Sequence, residues 1–145
     1  MMKRWTIVVT VLLAVAAMVS ATGAFAKEKQ EPKAHYELDF TGTTGTLETG
    51  KEGTISVAIK PTDGYHMNAE YPFKLTVADV EGLDFGKKKF VKNDIKDINK
   101  PALAIPFKGV KPGKYTVTLN FSFAVCTADI CEVRKPSVPV PIEVK

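Results

Sequence analysis

The residues in this sequence best suited to chemistry are Cys126 and Cys131, its only cysteines. A cysteine pair can alternate between dithiol and disulfide, and a thiolate is both the nucleophile of disulfide exchange and a soft metal ligand. Upstream of the pair, apolar residues fall at Tyr115, Val117, Leu119, Phe121, Phe123 and Val125, with small or polar residues between them. Downstream the alternation resumes at Val138, Val140, Ile142 and Val144. Period two is the mark of a half-buried strand. Two strands joined by a short polar link such as Thr127-Ala-Asp-Ile130 form a hairpin, which brings the cysteines within the Cβ separation of about 4 Å that a disulfide needs.

What such a bond does is left open by spacing alone. Closing a loop of about six residues restricts the unfolded chain by only ~2 kcal/mol, against nearly 5 for a loop of about 100, so the bond is poorly placed as a staple. Pro136, Pro139 and Pro141 put the last strand at a sheet edge, where another protein's thiolate can reach the hairpin tip. Hairpin-tip disulfides are also found as purely structural links, so two readings stand: a redox-active pair or a structural one. Neighbouring charges do not choose the nucleophile, because Arg134 and Lys135 favour a thiolate at Cys131 while Asp129 and Glu132 oppose it. His66 and Met67 with the cysteines form a conceivable soft-metal set. In an oxidising compartment, however, the cysteines bond to each other, so no metal or other cofactor is expected and His66 is read as a polar neighbour of the hairpin or a loop residue.

The elements that position the pair begin after a targeting segment. Lys3 and Arg4 precede an uncharged apolar run from Thr6 to Val19, and Ala24-Phe-Ala26 is a small-x-small cleavage site. This predicts a signal peptide over residues 1–26, cleaved after Ala26, leaving an exported protein with no membrane span. Residues 27–34 form a flexible charged lead. From residue 35 to 145, short alternating runs around Leu38, Val57, Leu75, Ile105, Leu119 and Val140 are separated by Gly, Pro and Asn turns. The pattern predicts one all-β domain, an immunoglobulin-like antiparallel β-sandwich. Residues 92–98 read equally as a short helical turn or a loop. The formal charge of +4 falls with the loss of Lys3 and Arg4, and no basic stripe interleaved with aromatics marks a nucleic-acid surface. The basic run Lys87–Lys92 is either a solvated face or a docking patch for an acidic partner. Ser/His/Asp sets, phosphate-cradling glycine loops and carboxylate pairs are missing from the sequence. A monomer is expected.

Three stretches, Asp63-Gly-Tyr-His-Met-Asn68, Leu103-Ala-Ile-Pro-Phe107 and Phe123-Ala-Val-Cys-Thr-Ala-Asp-Ile-Cys131, come in an order that resembles the N-terminal periplasmic domain of the thiol:disulfide interchange protein DsbD. The resemblance runs from about Lys51 onward. It implies an immunoglobulin-like periplasmic domain with one redox-active pair, supplied with electrons from a membrane electron transporter through a thioredoxin-like domain and reducing thioredoxin-fold proteins. By position, Cys131 resembles the attacking cysteine and Cys126 the resolving one. Tyr65 resembles part of the aromatic surround, and Phe85 the aromatic cap that shields the pair. Lys87-Lys-Lys89 stands where the family's cap has acidic residues, which makes Phe90 a competitor, and the link between the cysteines is one residue shorter than in the best-known member. The chain ends at Lys145, so the membrane transporter and the thioredoxin-fold partners are expected to be separate chains. The alternative from a different class is an exported immunoglobulin-like binding module with a structural disulfide.

Overall fold

The computed structural model describes residues 33–145; the expected leader and residues 27–32 of the lead lie outside it. In chain order the strands are β1 (Tyr36–Asp39), β2 (Thr46–Leu47), β3 (Glu52–Pro61), β4 (His66–Met67), β5 (Lys74–Val77), β6 (Leu83–Asp84), β7 (Lys89–Val91), β8 (Ala102–Gly109), β9 (Gly113–Cys126), β10 (Cys131–Arg134) and β11 (Ser137–Val144). One sheet has the order β1-β3-β8-β6, the other β2-β11-β9-β5-β7, with β10 and β4 also on β9. These are the ABED and GFC arrangements of an immunoglobulin-like sandwich, with β7 added beside the C strand and β2 parallel to the last strand. One departure in order is that β6, in the D position, precedes β7. Between Val91 and Ile95 the chain makes one 3₁₀ turn, Lys92–Asp94, which decides the helix-or-loop alternative for that stretch.

Alternation places the core as the sequence predicts. Ile55, Val57 and Ile59 from β3, Leu103, Ile105 and Phe107 from β8, and Val117, Leu119, Phe121, Phe123 and Val125 from β9 are all buried in one cluster. Side chains of this size each contribute roughly 1.5–3 kcal/mol when removed from water. The edge assignment of the last strand holds over the proline-bearing part of β11 and not at its end, where the two-residue β2 pairs with Glu143 and Val144 on the outer side. Phe121 N–H donates to Pro136 O and Glu143 N–H to Gly45 O, so the odd-numbered residues of β11 direct their backbone groups away from β9. Pro139 and Pro141 are odd-numbered and sit on that outer side, where an absent N–H leaves no ladder bond unmade.

The end of the sandwich at which β9 begins is pinned by Tyr115. Its hydroxyl donates to Lys111 O at 2.8 Å, a tyrosine-corner contact near the start of the F strand. Gly82 lies beneath the ring with φ +99°, and a Cβ there would fall 2.2 Å from the Tyr115 oxygen. We expect Gly82→Ala to destabilise the domain by at least about 2 kcal/mol and Tyr115→Phe by about 1 kcal/mol, read as shifts in the urea midpoint at unchanged slope. An unshifted midpoint in Gly82→Ala would show that this corner does not hold the turn.

Candidate functional site

Beyond β5, the last residues of β9 carry a small three-stranded extension. Cys126 pairs with Cys131 of β10 on one side and with His66 of β4 on the other. The pairing of Cys131 with Cys126 and that of Val144 with Gly113 belong to one unbroken register, so β10 and β11 are a single hairpin arm interrupted at Lys135-Pro136. Thr127 N–H donates to Ile130 O at 2.8 Å, and the Thr127 hydroxyl accepts from the N–H groups of Asp129 and Ile130, which fixes the tight turn. Because Thr127 and Ile130 form a hydrogen-bonded pair, the cysteines occupy the adjacent non-hydrogen-bonded pair, where strands approach most closely; their Cα atoms are 4.1 Å apart and the sulfurs are bonded.

The two sulfur-bearing residues differ in access. Cys126 is 3% exposed, whereas Cys131 is exposed and flanked by Ile130 and Val133, themselves 52% and 49% exposed. Strand alternation sets Cys126 and Cys131 on the face opposite Phe123 and Val125, which point into the core. Glu132 and Arg134 fall on the Phe123 side and pair with each other, and Arg134 also donates to Lys33 O. Of the charges that compete on paper for Cys131, Glu132 and Arg134 are therefore engaged with each other on the other face of β10.

A bulge covers the buried sulfur. Met67 pairs with Val125 and Lys74 with Ser122, so the six residues Asn68–Phe73 stand opposite only Phe123 and Ala124 and must loop outward. Asn68 N–H holds Ala124 O at 2.9 Å. The Asn68 side-chain Oδ1 accepts from the N–H groups of Glu70 at 2.8 Å and Tyr71 at 3.2 Å. With its oxygen so fixed, the amide directs Nδ2 at both sulfurs, 3.3 Å from Cys126 Sγ and 3.6 Å from Cys131 Sγ. In the sequence Asn68 only closes the Asp63–Asn68 stretch and carries no assigned role. The signal was an Asn leading into a Pro-containing turn, the setting for an Asx turn.

The other candidate residues divide. His66 is brought into register with Cys126 and is exposed. Met67 is buried toward the core, the opposite face from His66, so the two do not converge as metal ligands with the bonded cysteines. Tyr65 directly precedes His66, but its ring stacks on His35, with centroids 4.1 Å apart. Phe85 is not at the site. It follows β6, which pairs with Lys108 and Gly109 at the end where β9 begins, and it is buried against Phe107. The cap expected at Phe85 is thus misplaced for a simple reason: the residue fills the core at the opposite end of the sandwich from Cys126. Phe90 is no substitute: on β7, the outer strand of its sheet, it is buried in register with Leu75 on the core face, opposite the face that carries Cys126. In the basic run, Lys87 and Lys88 pair with Asp94 and Asp79, and Lys92 donates to Ala69 O within the bulge.

No family model matches the chain, and no curated protein does. Among solved structures it is similar to the ASH/PapD-like domain of human CEP192 (PapD-like domain 7), at 8% identity and a TM-score of 0.36, covering 86% of this chain and 94% of that one. The strand order described above is what identifies the sandwich.

A polar strap tethers the start of the domain beside this site. Thr62 N–H donates to His35 O, and Asp63 accepts from Lys33 at 2.8 Å and contacts His35 at 3.3 Å. The Lys33 hydrogen bond is the main reason that the Asp63 carboxyl is held below its ordinary pKa, with His35 and Thr62 adding to the effect against some desolvation. A depressed folded pKa contributes stability above the unfolded value of about 3.9, and that contribution is lost as pH falls through the lower folded value. We expect the thermal midpoint of Asp63→Asn to lie below that of the parent at pH 6 and to converge with it as pH falls through the depressed folded pKa of Asp63. A constant gap across that range would contradict an ionic strap.

Proposed function

We propose that this chain is an exported thiol:disulfide exchange domain of the DsbD N-terminal type, working in the periplasm after removal of residues 1–26. The observation that carries the reading is the asymmetry of the bonded pair: an exposed Cys131 flanked by exposed apolar residues, and a buried Cys126 behind it. Exchange proceeds by attack of a thiolate on one accessible sulfur through a mixed disulfide, and this arrangement offers a partner Cys131 and keeps Cys126 for resolution. The same roles are those that the resemblance implies. The hairpin register is already set by ladder hydrogen bonds and by burial of alternate β9 side chains, and a loop this short gains only ~2 kcal/mol from cross-linking, so the bond adds little as a staple.

In the reducing direction, Cys131 thiolate attacks a partner disulfide and expels one partner thiolate. Cys126 thiolate then attacks Cys131 Sγ and releases the second. The partner gains two electrons, and the pair returns to the disulfide. Electrons for the next cycle come from a membrane-linked reductant, and the acceptors are thioredoxin-fold proteins.

The reduction potential of Cys126–Cys131 tests this reading, measured by equilibrating the mature protein with glutathione or dithiothreitol buffers. We expect a value in the carrier range of about −120 to −270 mV. A value below about −300 mV, with a folding defect when either cysteine is replaced, would instead support an exported binding module with a structural disulfide.

A further inference from the structure

Exchange at this site has an electrostatic difficulty that the Asn68 amide is placed to meet. When an incoming thiolate attacks Cys131 Sγ, a bond forms between those two sulfurs and the Cys126–Cys131 bond breaks. Its electron pair departs on Cys126 Sγ. The departing group is a thiolate on a residue only 3% exposed, so water is largely excluded from solvating the new charge. The Arg134 guanidinium does not serve, since it lies on the other face of β10 and is paired with Glu132. What does face the sulfur is Asn68 Nδ2, at 3.3 Å.

We propose that the Asn68 side-chain amide is a catalytic group of the cysteine pair, donating a hydrogen bond that stabilises the Cys126 thiolate as it leaves in one direction and as it attacks in the other. The proposal deepens the exchange reading above and takes its reaction from it. The donor is built in place before reaction. Two backbone N–H groups, those of Glu70 and Tyr71, hold Oδ1, and Asn68 N–H is tied to Ala124 O beside the pair. Turning the amide over would lose both Oδ1 contacts, so the nitrogen end is the one presented to sulfur. A preorganised donor aimed where charge develops is the arrangement that lowers a barrier most. The 3.6 Å contact to Cys131 Sγ lets the same group follow charge between the two sulfurs. The reaction is completed when the attacking partner's second thiolate attacks its own sulfur in the mixed disulfide. Cys131 then leaves as a thiolate, so that the partner is oxidised by two electrons and the pair is reduced.

The test compares the mature protein with Asn68→Asp and Asn68→Ala. Asp retains the oxygen that accepts from Glu70 and Tyr71 and replaces the donor by an acceptor, so the turn is kept while the contact to sulfur is reversed. Second-order reduction of the oxidised proteins by dithiothreitol at pH 7 is followed, with near-ultraviolet circular dichroism as the check on folding. We expect at least about a 10-fold loss of rate in Asn68→Asp and a smaller loss in Asn68→Ala. A second measurement does not depend on a position-68 variant folding: the pH dependence of alkylation of Cys126 in Cys131→Ser. There we expect a pKa no higher than the ordinary thiol value of about 8.5 despite burial. Reduction of Asn68→Asp within two-fold of the parent rate, or a Cys126 pKa raised by more than about one unit as burial alone would raise it, overturns the assignment. Dithiothreitol reduces disulfides of either kind, so a potential in the structural range would retire the exchange reading while these rates still decide the role of Asn68.

Discussion

The rest of the site depends on one constraint, the register of the hairpin formed by β9 with β10 and β11. From Gly113 opposite Val144 to Cys126 opposite Cys131 the pairing never slips. Burial enforces it: Val117, Leu119, Phe121, Phe123 and Val125 all enter the core from alternate positions of β9. A slip of one residue would turn all of them to solvent and drive the cysteines inward. Hydrophobic burial over the length of the strand therefore decides the face on which the disulfide stands, and the non-hydrogen-bonded position brings the two Cα atoms close.

Given that frame, the surroundings of the pair are settled by how β4 and β5 share one side of β9. Their registers differ, and the surplus chain from Asn68 to Phe73 has nowhere to go but outward over the pair. The bulge buries Phe73 in the core and ties Tyr71 toward Ser122, while its leading residue presents an amide to sulfur. On the other side no further strand among the described residues lies beside β10, and Cys131 is open there with Ile130 and Val133. Shelter for one sulfur and access for the other thus come from the same two strands flanking β9.

Much of this was legible in the sequence, and the limits have physical causes. The parity of Tyr115–Val125 and of Val138–Val144 marked the hairpin and its core face, and the prolines marked its edge. Strands of two or three residues, such as β4, β6 and β7, are too short to show a period, so their places within Asp63–Lys92 were hidden. The resemblance alone put Phe85 over the pair, and no visible period contradicted it. Two phenylalanines beside lysines look alike in sequence, and only strand pairing separates Phe85 beside β8 from Phe90 beside β5. Asn68 was missed for a related reason: its partners lie 58 and 63 residues away in the chain, beyond any local pattern.

The measurement that bears most directly on the asymmetry of the pair is the identity of the sulfur attacked by a monothiol. The oxidised mature protein is exposed briefly to glutathione, quenched with acid, and cleaved before Asp129, which separates the two cysteines into different peptides. We expect the glutathione adduct on Cys131, with Cys126 recovered as the free thiol. An adduct shared equally between the two, or found on Cys126, would contradict the exposed-attacked and buried-leaving arrangement.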